Sequence, residues 1–280
     1  MAISNSLTRL LGIKHPIVLA AMDLVADARL ALAVSQAGGF GFLGAGYGDA
    51  AWLERELGKV GEVNAQLQQP FGVGFITWSL ARQPHLLDWT LTAKPRAIWL
   101  SFGDPTLVPE VVDALGDKVP VLLAGGAADG RGLAAAIMLG AQGIVMGTRF
   151  HASVEAAGYE AAKQRIVSAS GDETVRSVVF DISRNNVWPH PFTGRCLANM
   201  HTQRWLGREL ELMRREDVIA EFVRARHTSN FDIAPVIAGE AVGLVRDIRS
   251  ANEIVRRTVA EAERLLALAS VYTTQKPAAA

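Results

Sequence analysis

The sequence predicts an α/β fold in which a parallel sheet is covered by helices on both faces. Short apolar runs bounded by glycine alternate with longer segments of helical periodicity. Most of these runs are apolar at consecutive positions, which is typical of strands buried on both faces. The 280 residues are enough for one such fold, either a closed barrel or an open doubly wound sheet.

Six apolar runs are predicted to be strands, and helical segments are predicted between them. The strands are Pro16–Met22, Gly39–Ala45, Phe71–Trp78, Ala97–Gly103, Val119–Gly125 and Gly143–Thr148. The helices are Asp27–Ala37, Asp49–Gln68, Thr106–Leu115 and Gly130–Leu139. Repeated strand-then-helix units indicate right-handed crossovers between parallel strands.

The chain is predicted to have three parts, which are residues 1–151, 152–231 and 232–280. The first part carries the strands. The second mixes Gly, Pro, Asn and Trp with a charged helix from Arg204 to about Arg226, and is interpreted as an insertion or cap. The third ends in an amphipathic helix that packs on the main fold, and Ser250 with Glu253 forms a predicted capping box at its start.

The composition excludes several classes of function. Lys+Arg and Asp+Glu balance at 28 each, so no charge excess predicts binding to nucleic acid or to an anionic membrane. We find no signal peptide and no membrane-spanning run, and expect a cytoplasmic protein. The one cysteine, Cys196, rules out an internal disulfide and is interpreted as a small buried hydrophobe.

The stretch from Val119 to Phe150 carries the clearest chemical signal. It places Ala124-Gly125-Gly126 and Met146-Gly147-Thr148 at the carboxyl ends of two successive strands, where barrel proteins commonly bind phosphate. Glycine lets backbone N–H groups approach phosphate oxygens, and the Thr148 hydroxyl adds a donor. The helix after the Gly-Gly turn is expected to direct its positive end at the same anion. The alternative is that these glycines only make tight turns.

Several segments together resemble the nitronate monooxygenase (2-nitropropane dioxygenase) family. They are HPIVLAAM, AVSQAGGFGFLGAG, PFGVGFITW, AGGAADGRGLAAAIMLGAQGIVMGTRF and PVIAGEAVGLVRDIRSANEIVRRTVAEAERLL. The resemblance covers most of the chain and is weakest over residues 152–231. It implies a TIM-barrel-type (β/α) fold that binds FMN and oxidises alkyl nitronates with O₂.

The resemblance also implies roles for particular residues. Ala21 and Met22 match the strand end that lies against the flavin ring, and Gly74 stands where many members carry Asn and others a small residue. The residues that match the phosphate-binding strand ends are Ala124, Gly125, Gly126, Met146, Gly147 and Thr148. No metal site is predicted.

The chain departs from the family pattern after the fourth strand. Family members continue with two further βα units, the second of which ends in an Ala-Gly-Gly-His motif whose His takes the α-proton of a nitroalkane. Here the sequence runs directly into the helix before the Gly-Gly strand, so six of the usual eight strands are recognisable and the motif His is absent. A wrongly spliced or predicted gene product, an engineered deletion and omission of a segment remain open as origins.

Loss of two strands conflicts with barrel geometry, because strand number, tilt and shear are linked. It leaves either unpaired edges or a distorted, tighter barrel. Edges of this kind favour association, so a homo-oligomer is compatible with the sequence.

Other residues are candidates for the missing base. His151 follows the MGTRF strand end, and His190 lies in the inserted region, so both are weak candidates. His15 precedes the first strand and belongs at the opposite end. Asp23 follows Met22 and either faces the flavin or caps the next turn.

Three functions therefore remain open at the level of the sequence. The first is an FMN enzyme acting on small nitronates or nitroalkanes with O₂, impaired by loss of the His. The second is a related FMN barrel reductase of the enoyl reductase type; an inosine monophosphate dehydrogenase-like enzyme is disfavoured because Cys196 stands in the wrong region. The third is a degenerate, non-enzymatic barrel.

Overall fold

A computed structural model describes residues 3–80, 82–101, 122–139, 141–186, 188–190 and 192–269. The chain divides into two compact units. Unit 1 comprises Met1–Met146, Val154–Ala157 and Arg249–Ala280, and unit 2 comprises Gly147–Ser153 and Gly158–Ile248. The three-part division predicted from the sequence stays a prediction. In the described ranges, no helix combines the length and apolar character that crossing a membrane requires.

The described residues contain eight strands and thirteen α-helices. The strands are β1 Ile17–Leu19, β2 Gly41–Gly44, β3 Phe71–Ile76, β4 Ala97–Ser101, β5 Leu122–Ala124, β6 Gly143–Met146, β7 Thr174–Ser177 and β8 Gly194–Leu197. The helices are α1 Ser6–Leu11, α2 Ala28–Gln36, α3 Ala50–Leu67, α4 Thr77–Leu80, α5 His85–Thr92, α6 Gly130–Met138, α7 Thr148–His151, α8 Glu160–Ser168, α9 Val179–Ser183, α10 Met200–Trp205, α11 Glu209–Leu212, α12 Glu216–His227 and α13 Ala251–Ala269.

The six strands of unit 1 are parallel, as the sequence predicts. They form two three-stranded sheets, ordered β1-β6-β5 and β2-β3-β4. A bridge between Val18 and Phe40 joins the two sheets, with Leu19 N–H donating to Phe40 O at 2.9 Å and Phe40 N–H donating to Ile17 O at 2.9 Å. The order is therefore β4-β3-β2-β1-β6-β5. The first residues of the predicted strand Val119–Gly125 and the predicted helix Thr106–Leu115 lie outside the described residues.

Three helices of unit 1 begin directly after an aspartate, within one residue of the starts predicted at Asp27, Asp49 and Gly130. Asp27 accepts a hydrogen bond from Leu30 N–H at 3.0 Å, and Asp49 accepts one from Trp52 N–H at 3.0 Å. Asp129 does the same for α6. A carboxylate in this position satisfies amides that have no partner inside the helix. These caps explain why helices start close to the predicted residues.

The strands share one apolar face that is filled by aromatic rings. Ile13, Val18, Phe40, Phe42 and Val145 form a buried cluster, and the partly buried side chains packed on it are Leu11, Ala20, Ala21, Ala97, Trp99 and Leu122. The Phe42 ring meets the Trp99 ring edge-on, with centroids 5.5 Å apart. On β3 a Cβ added at Gly72 would lie 2.4 Å from the Phe42 ring. Glycine in β3 therefore makes room for an aromatic side chain of β2.

The last helix, α13, packs against α6 at a glycine. A Cβ added at Gly130 would lie 2.5 Å from Thr258 O, so only hydrogen fits there. Gly130 N–H donates to the Glu261 carboxylate at 2.9 Å. At the start of α13, Ser250 Oγ accepts from Glu253 N–H at 3.2 Å, as predicted. The Glu253 side chain pairs with Arg256 instead of reaching back, so only half of the predicted capping box forms.

Unit 2 contains an antiparallel pair, β7 and β8, and a set of short helices. Its core is aromatic, with the Trp205 and Phe222 side chains fully buried. The single charged helix predicted from Arg204 to about Arg226 is wrong, because the segment contains three helices. Gly207 has φ +79° between α10 and α11, which ends the first of them. Cys196 is buried in β8, and burial raises the pKa of its thiol to about 12, in agreement with the interpretation as a buried hydrophobe.

Candidate functional site

The residues that follow β1 lie against two glycines, one at the end of β2 and one inside β3. A Cβ added at Gly74 would lie 2.2 Å from the Ala21 Cβ, and one added at Gly44 would lie 2.3 Å from Met22 O. Such close approach requires glycine at both positions. The structure therefore brings together Ala21, Met22 and Gly74, three of the residues predicted to line one site.

The Gly125–Gly126 turn follows β5 and has a conformation that favours glycine. The φ angles are +87° at Gly125 and +72° at Gly126, both in the left-handed region. Both residues are exposed, and a Cβ added at either would meet no atom within 4 Å. Steric crowding by neighbours is therefore not the reason for glycine here. Conformation is the reason, and the space in front of the turn is open to a ligand.

The same turn presents backbone N–H groups that lack acceptors. Over the described ranges, no carbonyl and no side chain accepts a hydrogen bond from the amides of Gly125, Gly126, Ala127 or Ala128. Ala127 and Ala128 are buried residues, with exposed fractions of 7% and 4%. Buried amides without an acceptor are rare and costly, because folding has removed them from water. Four consecutive amides therefore have no acceptor among the described residues, and two of them belong to buried residues.

The start of α6 does not take part in this arrangement, contrary to the expectation from the sequence. Gly130 N–H is bound by Glu261, and Asp129 Oδ1 accepts from Arg131 N–H at 3.0 Å and from Gly132 N–H at 3.4 Å. Two carboxylates thus already occupy the positive end of the helix. The sequence did not reveal this because Glu261 is 131 residues from Gly130.

Gly147 and Thr148 follow Met146 directly at the end of β6. Thr148 Oγ1 accepts a hydrogen bond from Gly239 N–H at 2.9 Å. The hydroxyl proton of Thr148 then remains available for donation. Within the described part of the chain, the Gly147 and Thr148 amides have no acceptor either. Met146 is fully buried, and its carbonyl accepts from Ala20 N–H at 3.1 Å, which ties β6 to β1.

The structure shows the surroundings of both histidines that are candidates for the base. His151 is buried, and its Nδ1 lies 3.0 Å from Ile237 O, which can only accept, so Nδ1 carries the proton. Burial, more than the nearby Lys163 charge, lowers the pKa of His151, whereas the Ile237 contact raises it. His190 is exposed in a turn after Pro189. Their roles as catalytic groups stay weak predictions.

Two further sequence candidates are placed by the structure. His15 precedes β1, and its backbone N–H donates to Gly38 O at 2.8 Å, before β2 begins, so it lies at the amino end of the strands. Asp23 lies against the loop after β2, since a Cβ added at Gly46 would be 1.9 Å from Asp23 Oδ1. Gly46 has φ +52°.

Sequence reasoning missed the residue next to Thr148. Arg149 is buried, and its Nη1 donates to Asp247 Oδ1 at 3.0 Å. The only available signal was a charged residue inside an otherwise apolar stretch, and its partner is 98 residues away.

The fold and these strand-end turns define a class of protein, which is a parallel α/β protein with a Gly-Gly turn at the carboxyl end of one of its strands. The sequence profile of the family described as nitronate monooxygenase matches residues 4–102 and 101–261. The chain is 31% identical to the nitronate monooxygenase npaC of Metarhizium robertsii, over 90% of this chain and 92% of the relative. The chain belongs to the nitronate monooxygenase family.

Two solved structures have a similar fold. FabK from Thermotoga maritima superposes with a TM-score of 0.73 at 23% identity, covering 96% of this chain and 99% of FabK. A nitroalkane oxidase from Streptomyces ansochromogenes superposes with a TM-score of 0.67 at 18% identity, covering 95% of this chain and 100% of the oxidase. At these identities the likeness concerns the fold alone.

The family match is broken where the sequence departs from the family pattern. The two matched ranges meet at residues 101–102, just after β4. The alignment with the Metarhizium relative extends over 337 positions, although this chain has only 280 residues. The relative thus carries residues that have no counterpart in this chain.

Proposed function

We propose that this chain binds FMN and oxidises alkyl nitronates with O₂. Family membership supports the reaction class. The observation that carries the cofactor assignment is the row of four backbone amides from Gly125 to Ala128 without acceptors, two of them on buried residues. A phosphate monoester is dianionic near neutral pH and satisfies such donors.

The cofactor-binding set that we propose is Ala21, Met22, Gly74, Ala124, Gly125, Gly126, Met146, Gly147 and Thr148. The glycine turns donate N–H groups to the phosphate, and the Thr148 hydroxyl adds a donor. Ala21 lies against Gly74, and neither residue carries a long side chain, which suits a ring-facing surface. Bound flavin would supply the redox chemistry that couples oxidation of the nitronate to reduction of O₂.

We also infer that the sheet is part of a TIM-barrel-type (β/α) fold. The strand order β4-β3-β2-β1-β6-β5 is the neighbour order of a barrel in which the chain passes once around the axis. The fold likeness to FabK and to the nitroalkane oxidase supports this inference.

Loss of the family's motif His predicts an asymmetry between two forms of substrate. A nitronate is already deprotonated, so its oxidation needs no base. A neutral nitroalkane must first lose its α-proton, and no group in the proposed set can accept it. We expect turnover of the nitronate with little or no turnover of the neutral form, measured as O₂ consumption directly after each form is added. Equal rates for both forms would contradict the proposal.

An absorption spectrum of the purified protein tests the cofactor assignment, since bound FMN gives the flavin bands. Gly126→Ala is expected to raise the Kd for FMN about tenfold, because a Cβ is strained at φ +72° and moves the amides. Gly207→Ala is the matched control, because Gly207 also has a positive φ and an added Cβ there meets no atom within 4 Å. A colourless protein that binds no added FMN would instead indicate a degenerate barrel.

A reductase of the enoyl reductase type is the second candidate, on the ground of the FabK-like fold. Anaerobic addition of NADH or NADPH distinguishes the two. Rapid bleaching of the flavin bands by either nucleotide would favour the reductase, and bleaching by nitronate alone would favour nitronate oxidation.

A further inference from the structure

Residues 148–151 form a short helical segment, α7, whose side chains point into unit 2. Arg149, Phe150 and His151 are all buried. This is unusual for an arginine, because a buried guanidinium must find several acceptors to replace water. The contacts of the segment show where those acceptors are.

The Arg149 guanidinium donates hydrogen bonds to two backbone carbonyls and to one carboxylate. Its Nη1 donates to Asp247 Oδ1 at 3.0 Å, and its Nη2 donates to Asp247 O at 2.5 Å and to Ala152 O at 2.9 Å. The Arg149 side chain has an exposed fraction of 8%, and that of Asp247 has 38%. Both terminal nitrogens of the guanidinium are thus engaged within unit 2.

Thr148 and His151, on either side of Arg149 in α7, contact the same segment, residues 237–247. Thr148 Oγ1 accepts from Gly239 N–H at 2.9 Å, and His151 Nδ1 lies 3.0 Å from Ile237 O. Three side chains within four residues are therefore held by residues 237–247. We call these three contacts, Thr148–Gly239, Arg149–Asp247 and His151–Ile237, the α7 clamp.

The clamp determines what Thr148 can do. Because Gly239 N–H occupies a lone pair of Thr148 Oγ1, the hydroxyl is left with its proton to donate. The clamp also holds Thr148 itself in place, and with it the Thr148 backbone amide. A ligand that needs these donors then meets them already oriented, and does not have to order them on binding.

We propose that Arg149, held by Asp247, is a positioning residue for the flavin phosphate: it orients the Gly147–Thr148 donors and does not touch the phosphate. This inference rests on the proposed function. It predicts an effect that depends on the phosphate, because the clamp acts on the phosphate donors and not on the ring-facing surface at Ala21 and Gly74.

The test compares FMN with riboflavin, which has the same ring and lacks the phosphate. Flavin-free full chain is titrated with each, and Kd is read from quenching of flavin fluorescence. Asp247→Asn keeps the size of the side chain and removes the charge that holds Arg149. We expect the Kd for FMN to rise about tenfold and the Kd for riboflavin to change less than twofold. Arg149→Lys keeps the positive charge but loses the planar set of guanidinium donors, so it is also expected to raise the Kd for FMN more than the Kd for riboflavin.

Asp232→Asn is the matched control, because Asp232 pairs with Arg165 in the same unit and both side chains are largely exposed. It is expected to leave both Kd values unchanged. Thermal unfolding of each flavin-free variant verifies that it is folded.

An equal loss of affinity for both flavins would show that the clamp only supports the fold, and would overturn the inference. Unchanged FMN affinity in both folded variants would overturn it as well. If the unaltered chain binds neither flavin, the proposed function fails first, and the inference fails with it.

Discussion

Two kinds of glycine occur among the proposed cofactor-binding residues, and they are required for different reasons. Gly74 is required by contact, because an added Cβ would overlap the Ala21 Cβ. Gly125 and Gly126 are required by conformation, with no neighbouring atom in the way. A contact of the first kind shapes an apolar surface, and a turn of the second kind exposes amides. The two kinds match the ring and phosphate ends of the proposed cofactor.

Gly74→Ala should reduce the free energy of unfolding by about 1–3 kcal/mol, because the new methyl group overpacks the contact with Ala21. Gly61→Ala, in α3, is the matched substitution. An added Cβ at Gly61 meets nothing within 4 Å, and alanine stabilises a helix interior by about 0.5–1 kcal/mol. Urea unfolding of both variants measures the difference. Equal effects in the same direction would refute the assignment of Gly74 as a contact glycine.

A buried histidine in unit 2 makes stability depend on pH. His201 has an exposed fraction of 4%, and its Nε2 lies 2.8 Å from Ser183 Oγ. Ser183 Oγ donates to Val179 O at 3.0 Å, so His201 Nε2 is the donor toward Ser183. Burial, assisted by the Arg204 charge, lowers the pKa of His201 from 6.5 to about 4.

The unfolded chain therefore takes up the proton first as the pH falls. Stability is complete above about pH 6.5 and is lost progressively between pH 6.5 and pH 4. Between pH 7 and pH 5 we expect His201 to account for a loss of roughly 2 kcal/mol. Urea unfolding of His201→Gln should show a correspondingly smaller loss over this interval. His227→Gln, at an exposed position, is the control, and an unchanged slope in both variants would contradict the assignment.

Between elements, a buried glutamate joins α3 to α2. Glu56 accepts from Ala28 N–H, at the start of α2, at 3.2 Å, and it also pairs with Lys59 at 2.8 Å. Burial by itself would raise the pKa of Glu56, but the hydrogen bonds from Lys59 and Ala28 and the Lys59 charge outweigh it and lower the pKa. The ionised carboxylate is therefore the form that the fold stabilises.

Glu56→Gln should cost about 1–2 kcal/mol of unfolding free energy near pH 7, because the charge-assisted bonds are lost. The difference from the unaltered chain should shrink as the pH falls from the ordinary glutamate pKa of 4.5 through the lower folded value. Glu54→Gln, on the exposed side of α3, should change stability by less than about 0.5 kcal/mol. Denaturant titrations over pH 3–7 follow both variants, and a pH-independent difference would exclude the ionised form.

The elements also show what the sequence can predict. The aspartates before α2, α3 and α6 act locally, so the helix starts were predictable to within one residue. The break at Gly207 was also local, but the charged pattern on both sides of it resembled one amphipathic helix. The contacts of Glu261 with Gly130 and of Asp247 with Arg149 join residues far apart in the chain. No periodicity or spacing encodes such contacts, so neither the occupied start of α6 nor the α7 clamp was predictable.

At the scale of the whole molecule, the family match is broken after β4, and the strands on either side of the break are incompletely covered. In the ranges with assigned structure, β4 pairs with β3 and β5 pairs with β6, and no strand is seen on their other sides. Every residue of β3 is buried, whereas Ile98, Trp99, Leu122 and Leu123 are only half-buried. The sheet is thus least covered at the two strands that flank the break.

Insertion of the extra segment of the Metarhizium relative at residues 101–102 should raise the unfolding temperature by several degrees, because it covers these apolar side chains. If the segment brings the family's motif His, turnover of neutral nitroalkane should appear as well. A Gly/Ser segment of equal length is the control and should do neither. Calorimetry and O₂ consumption measure the two effects, and a less stable chimera would show that β4 and β5 do not need the segment.

The contact between Gly130 and α13 has a consequence for biosynthesis. The surface on which α6 docks includes Thr258 and Glu261, so α6 cannot reach its final position until the ribosome has added the 131 residues that separate Gly130 from Glu261. The stretch between β5 and β6 therefore remains incompletely packed while those residues are translated. Nascent chains interrupted before that point are expected to expose this stretch to proteases and chaperones.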